Sequence, residues 1–296
     1  MNLNSDTPIS IGISFFNAEK YLMDAIRSIY YQTHKNWELI LIDDGSTDDS
    51  LKLARSVYDK RIRVISDGEN KGLSFRLNQI VKIASYSLIA RMDADDIMAS
   101  NKIQRQIKIL NDNPELDLIS TNCLSINNND QLIGKGKKYY SDFSVGELLN
   151  KKGHGIIHPS IIGRKKWFLR NPYNEHIKIG QDYELWVRAA KKEDFKIFII
   201  DEPLFYYREE MNIKLKKILG AYKTKYNVQL THNDKIKFFL FLNYKIKIVI
   251  VRLLKNLKLL SILLKRRSGP YYKKEKKSFD KNLSDLKSTK LPGIDT

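Results

Sequence analysis

The sequence predicts an α/β fold built on a mixed, mainly parallel sheet, followed by a helical and strongly basic C-terminal extension. Two observations predict it. The first hundred residues alternate between short β-branched runs and segments with apolar residues at helical spacing. The charge, meanwhile, is concentrated at one end of the chain: of a net +18, residues 211–296 carry +17, with 22 Lys or Arg against five acids. We therefore divide the chain into a near-neutral globular body, 1–210, and an amphipathic extension, 211–296.

The elements follow in order. ISIGISFF (9–16) is β-branched and aromatic and reads as a strand. AEKYLMDAIRSIYYQ (18–32) sets Tyr21, Leu22, Ala25, Ile26 and Ile29 on one helical face. WELILI (37–42) is a strand running into DDGSTDDS, where Ser46 or Thr47 is placed to cap a helix through Leu51, Leu53, Ala54 and Val57. IRVIS (62–66) is a third strand, followed by the turn DGENKG, a helix over 73–84 and a fourth strand over 86–92. Short connections between alternating strands and helices imply right-handed crossovers, which put the C-terminal ends of these strands on one edge of the sheet, where open α/β sheets bind ligands. Beyond residue 96 the pattern changes. A helix over 101–112 stops near Pro114, and strands follow over 116–126 and near Gly134. GIIHPSIIG (155–163) is a short strand interrupted by Pro159; a helix over 181–192 precedes a strand over 195–200, and helices follow from about residue 212.

Composition bounds the chemistry. With 296 residues, 42% apolar and 29% charged, the chain can bury a sizeable core. A single cysteine, Cys123, excludes an intrachain disulfide framework and a Cys-rich zinc site, and fits a reducing compartment. The start lacks the basic and apolar regions of a secretory signal, and no stretch supplies the eighteen or so apolar residues of a spanning helix.

The predicted topology gathers acids that the sequence keeps apart. Asp43 and Asp44 end the second strand, Asp67 the third, and Asp93, Asp95 and Asp96 the fourth, within ARMDADD. Clustered carboxylates repel and need compensation, from a base such as Arg76 or Arg91 or from a cation. Hard divalent cations, Mn²⁺ or Mg²⁺, take carboxylate oxygens together with substrate phosphates. The plain alternative is a solvated turn that caps the next helix; the strand-end position and the second acidic tip favour a site. Asp96 either pairs with one of the arginines or caps the helix after Ser100. A phosphatase-like nucleophile fails on spacing, because Asp43 and Asp44 are adjacent.

Five segments, in order, resemble the family 2 glycosyltransferases: ISFFNAEKYL (13–22), DDGSTD (43–48), NKGLS (70–74), ARMDADD, and the pair IIHPS with GQDYELWVR. The similarity spans about residues 8–205. The resemblance implies a single Rossmann-like nucleotide-sugar-binding domain of GT-A type. It implies that Phe15, Phe16 and Glu19 line the nucleotide pocket, that Asp44 meets the base and Asp93 the ribose, and that Asp95 holds the metal. Asp182 would be the general base that deprotonates the acceptor hydroxyl. His158 would touch the diphosphate or the acceptor, or be structural beside Pro159; Trp186 would line the acceptor site or fill the core. Two departures matter. Gln181 stands where the family often has a second acid, which leaves Asp182 as the local base. The Gln-x-x-Arg-Trp segment of processive synthases is missing, so one sugar per acceptor is expected. The resemblance to O-antigen and capsule assembly enzymes implies a UDP-hexose donor, glucose or galactose, and an acceptor such as GlcNAc on a polyprenyl diphosphate.

In the extension, residues 234–267 mix long apolar side chains with Lys or Arg every few positions. Such a helix suits the surface of an anionic membrane, apolar groups inserted and lysines snorkelling, or else packs on the body with its lysines solvated. We expect a peripheral protein on the cytoplasmic face of a bacterial inner membrane. Nucleic acid is a poorer partner, since Phe238, Phe239 and Phe241 cluster with aliphatics and Lys outnumbers Arg. The rival functions are a metal-dependent phosphoryl-transfer protein on nucleic acid and a non-catalytic nucleotide-binding scaffold at the membrane.

Overall fold

The structure, a computed structural model, describes residues 7–136, 143–150, 155–209, 215–231, 237–260, 262–265 and 268–295. The body opens with β1 (Ile9–Phe15), α1 (Leu22–Tyr30), β2 (Trp37–Asp43), α2 (Ser50–Ser56), β3 (Ile62–Ser66), α3 (Leu73–Ile83) and β4 (Leu88–Asp93). A two-residue β5 (Ile97–Met98) leads to α4 (Lys102–Asp112), β6 (Leu118–Ile126), β7 (Leu132–Gly136) and α5 (Val145–Asn150). After a 3-10 turn at His158–Ser160 come β8 (Ile162–Arg164), α6 (Lys165–Arg170), α7 (Gln181–Lys191) and β9 (Ile197–Arg208). The extension contributes α8 (Leu215–Leu230), α9 (Lys237–Asn256), α10 (Ile262–Lys265), β10 (Ser268–Gly269) and α11 (Lys273–Lys287).

One mixed sheet runs β10-β7-β6-β8-β4-β1-β2-β3, with β9 paired to both β6 and β5. The β4-β1-β2-β3 half is parallel throughout, as its helical crossovers require, and β6 and β9 form a second long parallel ladder. Alternation along β2 decides which residues meet which layer. Leu39 and Leu41 face the layer of α1 and α4, while Ile40 and Ile42 face that of α3, α6 and α7. Both layers are apolar, so β1, β2 and β4 are buried on both sides, while the edge strand β3 is only half-buried. At Gly12, in the middle of β1, α3 lies close enough that a Cβ would stand 2.3 Å from Ile80 Cγ2.

Three expectations are corrected. The helix after β2 starts at Ser50, and its N-cap Asp49 makes no side-chain cap bond. Ser46 and Thr47 instead join the neighbouring loop: Ser46 Oγ accepts the Asn17 N–H, and the Thr47 N–H donates to Asn17 Oδ1. The stretch 155–163 is a turn plus a three-residue strand, because the Pro159 ring withholds a ladder donor. Finally, β9 runs on to Arg208, since its second half pairs with β6 as far as Ile126 and with the unforeseen β5 on its other side.

In the extension, α8 packs on the segment before α7, where Gly220 leaves room for Ile179. α9 lies on α8, with Tyr226 stacked on Tyr244 at 4.7 Å. α11 returns to the body, burying Phe279 and Leu286 in the core shared by α1 and α4. Of the basic stretch 234–267, residues 234–236, 261, 266 and 267 lie outside the described residues, as does the boundary drawn after residue 210. No helix of the described residues is long and apolar enough to cross a membrane.

Candidate active site

The C-terminal ends of the parallel strands meet in register. Phe15 stands opposite Asp43, Ser14 opposite Asp93, and Ser66 opposite Asp43. The adjacent acids after β2 are held differently. Asp43 closes the turn, accepting the Ser46 N–H at 2.9 Å and the Ser66 hydroxyl at 2.8 Å. Asp44 accepts the N–H groups of Lys71 (2.9 Å) and Gly72 (3.1 Å) and the Nε–H of Arg76 (2.8 Å). The buried guanidinium of Arg76 also donates to Asp67, whose carboxyl its hydrogen bonds hold well below the usual range. The sequence assigned Arg76 and Arg91 as compensating cations; Arg76 balances the Asp44 tip and Arg91 pairs with Asp93.

Gly45 makes this possible. Its φ is +76°, and a Cβ there would lie 2.9 Å from the backbone carbonyl carbon of Glu69. A non-glycine residue would be strained in the turn and would push the 69–72 loop off Asp44.

The acid loop leaves β4 at Asp93, whose side chain stays 29% exposed. Carboxylate oxygens of Asp93, Asp95 and Asp96 lie within 4.8 Å of one another. Burial, then the neighbouring Asp93 charge, push Asp95 up to about 6. Burial and the charges of Asp95 and Asp93 raise the interior Asp96 well above the carboxylate range. Asp96 neither pairs with an arginine nor caps a helix, contrary to the sequence expectation. Its Oδ1 accepts the backbone N–H of Arg208 at 2.8 Å, while its buried Oδ2 has no partner among the described residues. Three converging carboxylates, held against their own repulsion with an oxygen unused, fit a hard divalent cation of the Mn²⁺ or Mg²⁺ class. Asp95 and Asp93 offer the accessible oxygens.

Asp182 stands in the first turn of α7, which opens at Gly180 in the left-handed conformation. That end of a helix favours an anion. Tyr173, absent from the candidates the sequence offers, feels the charges of both Asp182 and the acid loop. Burial raises its phenol, and the charges of Arg91, Asp182 and Asp93 all bear on it. Its hydroxyl meets Nε2 of the buried His158 at 2.8 Å. The hydrogen bond ties the 3-10 turn to Tyr173, on which charges of both α7 and the acid loop act.

Other candidates divide. Phe16 is 48% exposed at the rim, whereas the Phe15 side chain is buried in the core. Alternation along a strand allows only one of two consecutive residues to face the site, and Phe15 reaches the rim by its carbonyl, which accepts the Asp44 N–H. Glu19 is exposed and accepts the Asp49 N–H, stitching the first loop to the second. Trp186 is wholly buried, stacked on Phe195 at 5.3 Å and edge-on to His158 at 5.7 Å. It supports the wall behind His158 and presents no surface to an acceptor.

Residues 10–176 match the model of the family described as Glycosyl transferase family 2. The chain is 31% identical over 204 residues to an uncharacterized glycosyltransferase of Methanocaldococcus jannaschii, covering 68% of this chain and 70% of that one. It is 31% identical over 186 residues to the UDP-Glc:alpha-D-GlcNAc-diphosphoundecaprenol beta-1,3-glucosyltransferase WfgD of Escherichia coli, covering 63% of this chain and 71% of WfgD. Among solved structures, S. aureus TarS 1-349 in complex with UDP-GlcNAc superposes with a TM-score of 0.58 at 16% identity, covering 95% of this chain and 80% of TarS 1-349. That last likeness concerns the fold.

Proposed function

The chain belongs to glycosyl transferase family 2, and from that premise we propose that it moves one hexose from a UDP-sugar to a sugar on a polyprenyl diphosphate, inverting the anomeric carbon. The single observation that carries this reading is the convergence of the Asp93, Asp95 and Asp96 carboxylates within 4.8 Å at the end of β4, on the sheet edge where Asp44 follows β2.

Each residue has work of its own. Asp44, fixed by Lys71, Gly72 and Arg76, presents its carboxylate edge to the uracil, with Phe16 and Glu19 at the pocket's mouth. Asp93, oriented by Arg91, accepts from the ribose. Asp95 would hold Mn²⁺ or Mg²⁺, with Asp93 and Asp96 beside it. A divalent cation bound there offsets the negative charge that develops on the departing diphosphate. Asp182 takes the proton of the acceptor hydroxyl as that oxygen attacks the anomeric carbon from the side opposite the leaving group. His158, fixed by Tyr173, would serve the diphosphate or acceptor side.

The acceptor is the finer part of the proposal. WfgD acts on GlcNAc-diphosphoundecaprenol, and the present chain adds a surface suited to a lipid carrier. On α9, Phe238 (71% exposed), Phe239 (70%), Val249 (55%) and Leu253 (55%) face outward among Lys237, Lys245, Lys247, Arg252 and Lys255, and Leu257 and Lys258 continue the pattern in the turn that follows. A face of this composition lies on an anionic bilayer, each basic residue adding on the order of 1 kcal/mol. The enzyme would then work at the cytoplasmic surface of a bacterial inner membrane, in assembly of O-antigen or capsule.

A donor panel tests the reading. UDP-Glc, UDP-Gal, UDP-GlcNAc and UDP-GalNAc are each offered with Mn²⁺ and a synthetic GlcNAc-diphosphate lipid. Transfer of glucose or galactose in β linkage is expected from the wild type and not from Asp182→Asn, which still binds UDP. An active Asp182→Asn enzyme, or no transfer from any donor, contradicts it.

A further inference from the structure

Arg208, the last residue of β9, is wholly buried, and no part of the mechanism above uses it. A buried guanidinium is costly unless its donors are matched, and here they are matched by groups from different parts of the fold. Nε donates to the backbone carbonyl of Asp95 at 2.9 Å. Nη2 donates to Asp130 Oδ1 at 2.6 Å, and Nη1 to the carbonyl of Asn127, both in the turn between β6 and β7. The plane of the group lies over the ring of Tyr21, 4.1 Å from its centroid, at the entry to α1. The main-chain N–H of the same residue holds Asp96 Oδ1.

We infer that Arg208 is a positioning residue for the metal-binding loop: it sets the direction of the Asp95 carboxylate by gripping the peptide that follows it. Fixing the carbonyl of residue 95 fixes the plane of the 95–96 peptide, and the bond to Asp96 fixes its far side. With both flanks held, the Asp95 side chain has little freedom other than its own rotamers. A charged donor on a carbonyl makes a stronger hydrogen bond than a neutral one. The guanidinium is itself anchored, because Asp130 is also gripped by Lys287 of α11 at 2.8 Å. The brace therefore runs from the C-terminal helix through Asp130 and Arg208 to the acid loop, and touches no substrate. Lysine cannot replace it, since an ammonium lacks the planar fork that reaches Asp95, Asn127 and Asp130 together.

The inference rests on the reading of the loop as a metal site, so the test separates the two. Mn²⁺ is titrated calorimetrically into wild type, Asp95→Ala, Arg208→Lys and Asp130→Asn, each saturated with UDP, and UDP binding without metal and thermal melting are followed in parallel. A ligand-orienting contact outside the coordination sphere typically changes metal affinity by about 10- to 100-fold. Arg208→Lys is expected to weaken Mn²⁺ about tenfold, and Asp130→Asn, which only loosens the brace, about threefold, with metal-free UDP affinity unchanged. Unaltered Mn²⁺ affinity in Arg208→Lys overturns the inference even if its melting temperature falls, because that pattern describes a merely structural arginine. Should Arg208→Lys not fold, Asp130→Asn decides on the same criterion. If wild type and Asp95→Ala bind Mn²⁺ alike, the reading of the loop falls, and the inference with it.

Discussion

At the scale of single residues, the sequence disclosed the acids and hid what holds them. Asp44, Asp93, Asp95 and Asp182 are legible because each follows a strand or opens a helix within a short motif. Tyr173 and Arg208 are not, because neither sits in a motif: Tyr173 acts through its bond to His158, and Arg208 is placed by the pairing of β9 with β5 and β6. Lys102 was equally invisible. It is the first residue of α4 and wholly buried, and its Nζ has no hydrogen-bond partner among the described residues, only the Phe205 ring at 5.7 Å. Burial pushes its ammonium down to about 7. The unfolded lysine titrates near 10.4, so between about pH 7 and 10 the unfolded chain binds the extra proton and stability rises with pH; below pH 7 both forms are charged and the penalty is at its full size. Lys102→Met should therefore stabilise the protein at pH 7 by on the order of 2 kcal/mol and flatten the rise between pH 7 and 9. Urea unfolding at the two pH values measures both; equal or lower stability of the variant at pH 7 counts against this account.

At the scale of elements, periodicity located nearly every strand and helix of the first hundred residues, since β1, β2 and β4 are largely apolar runs, β3 is a β-branched one, and the intervening helices carry one apolar face. It failed where tertiary pairing outweighs local pattern. β5 has two residues and forms only because β9 lies alongside it, and the loop of Ser46 and Thr47 bonds across to Asn17 rather than along its own helix. Loop geometry is thus as much a part of the site as its acids. Gly45→Ala should cost roughly 1 kcal/mol or more for the left-handed turn alone. It should also weaken UDP, because the displaced 69–72 backbone is what holds Asp44. Thermal melting with and without UDP separates the two effects; a variant that loses stability but binds UDP normally would show that Asp44 is not set by this turn.

At the scale of the whole molecule, the division of charge was plain in the sequence, while the course of the extension was not. Its last helix is part of the core, tied by Tyr31 to Asp285, with the segment after it tied by Arg27 to Asp295, because Phe279 and Leu286 complete the apolar layer over α1. Among the described residues, α9 keeps many apolar side chains outward. The chain should sediment with vesicles containing anionic phospholipid, less with purely zwitterionic ones, and Phe238→Ser with Phe239→Ser should reduce that binding while leaving the melting temperature unchanged. Equal sedimentation of the double variant would assign the surface elsewhere. The claim on which the molecule's function turns is that the acid tip of the sheet receives a metal-bound diphosphate. Calorimetric titration of UDP, with and without Mn²⁺, into wild type and Asp95→Ala tests it most directly. Mn²⁺ should tighten UDP at least about tenfold in the wild type and leave Asp95→Ala unmoved; UDP affinity indifferent to Mn²⁺ in the wild type, or equally responsive in both proteins, would contradict it.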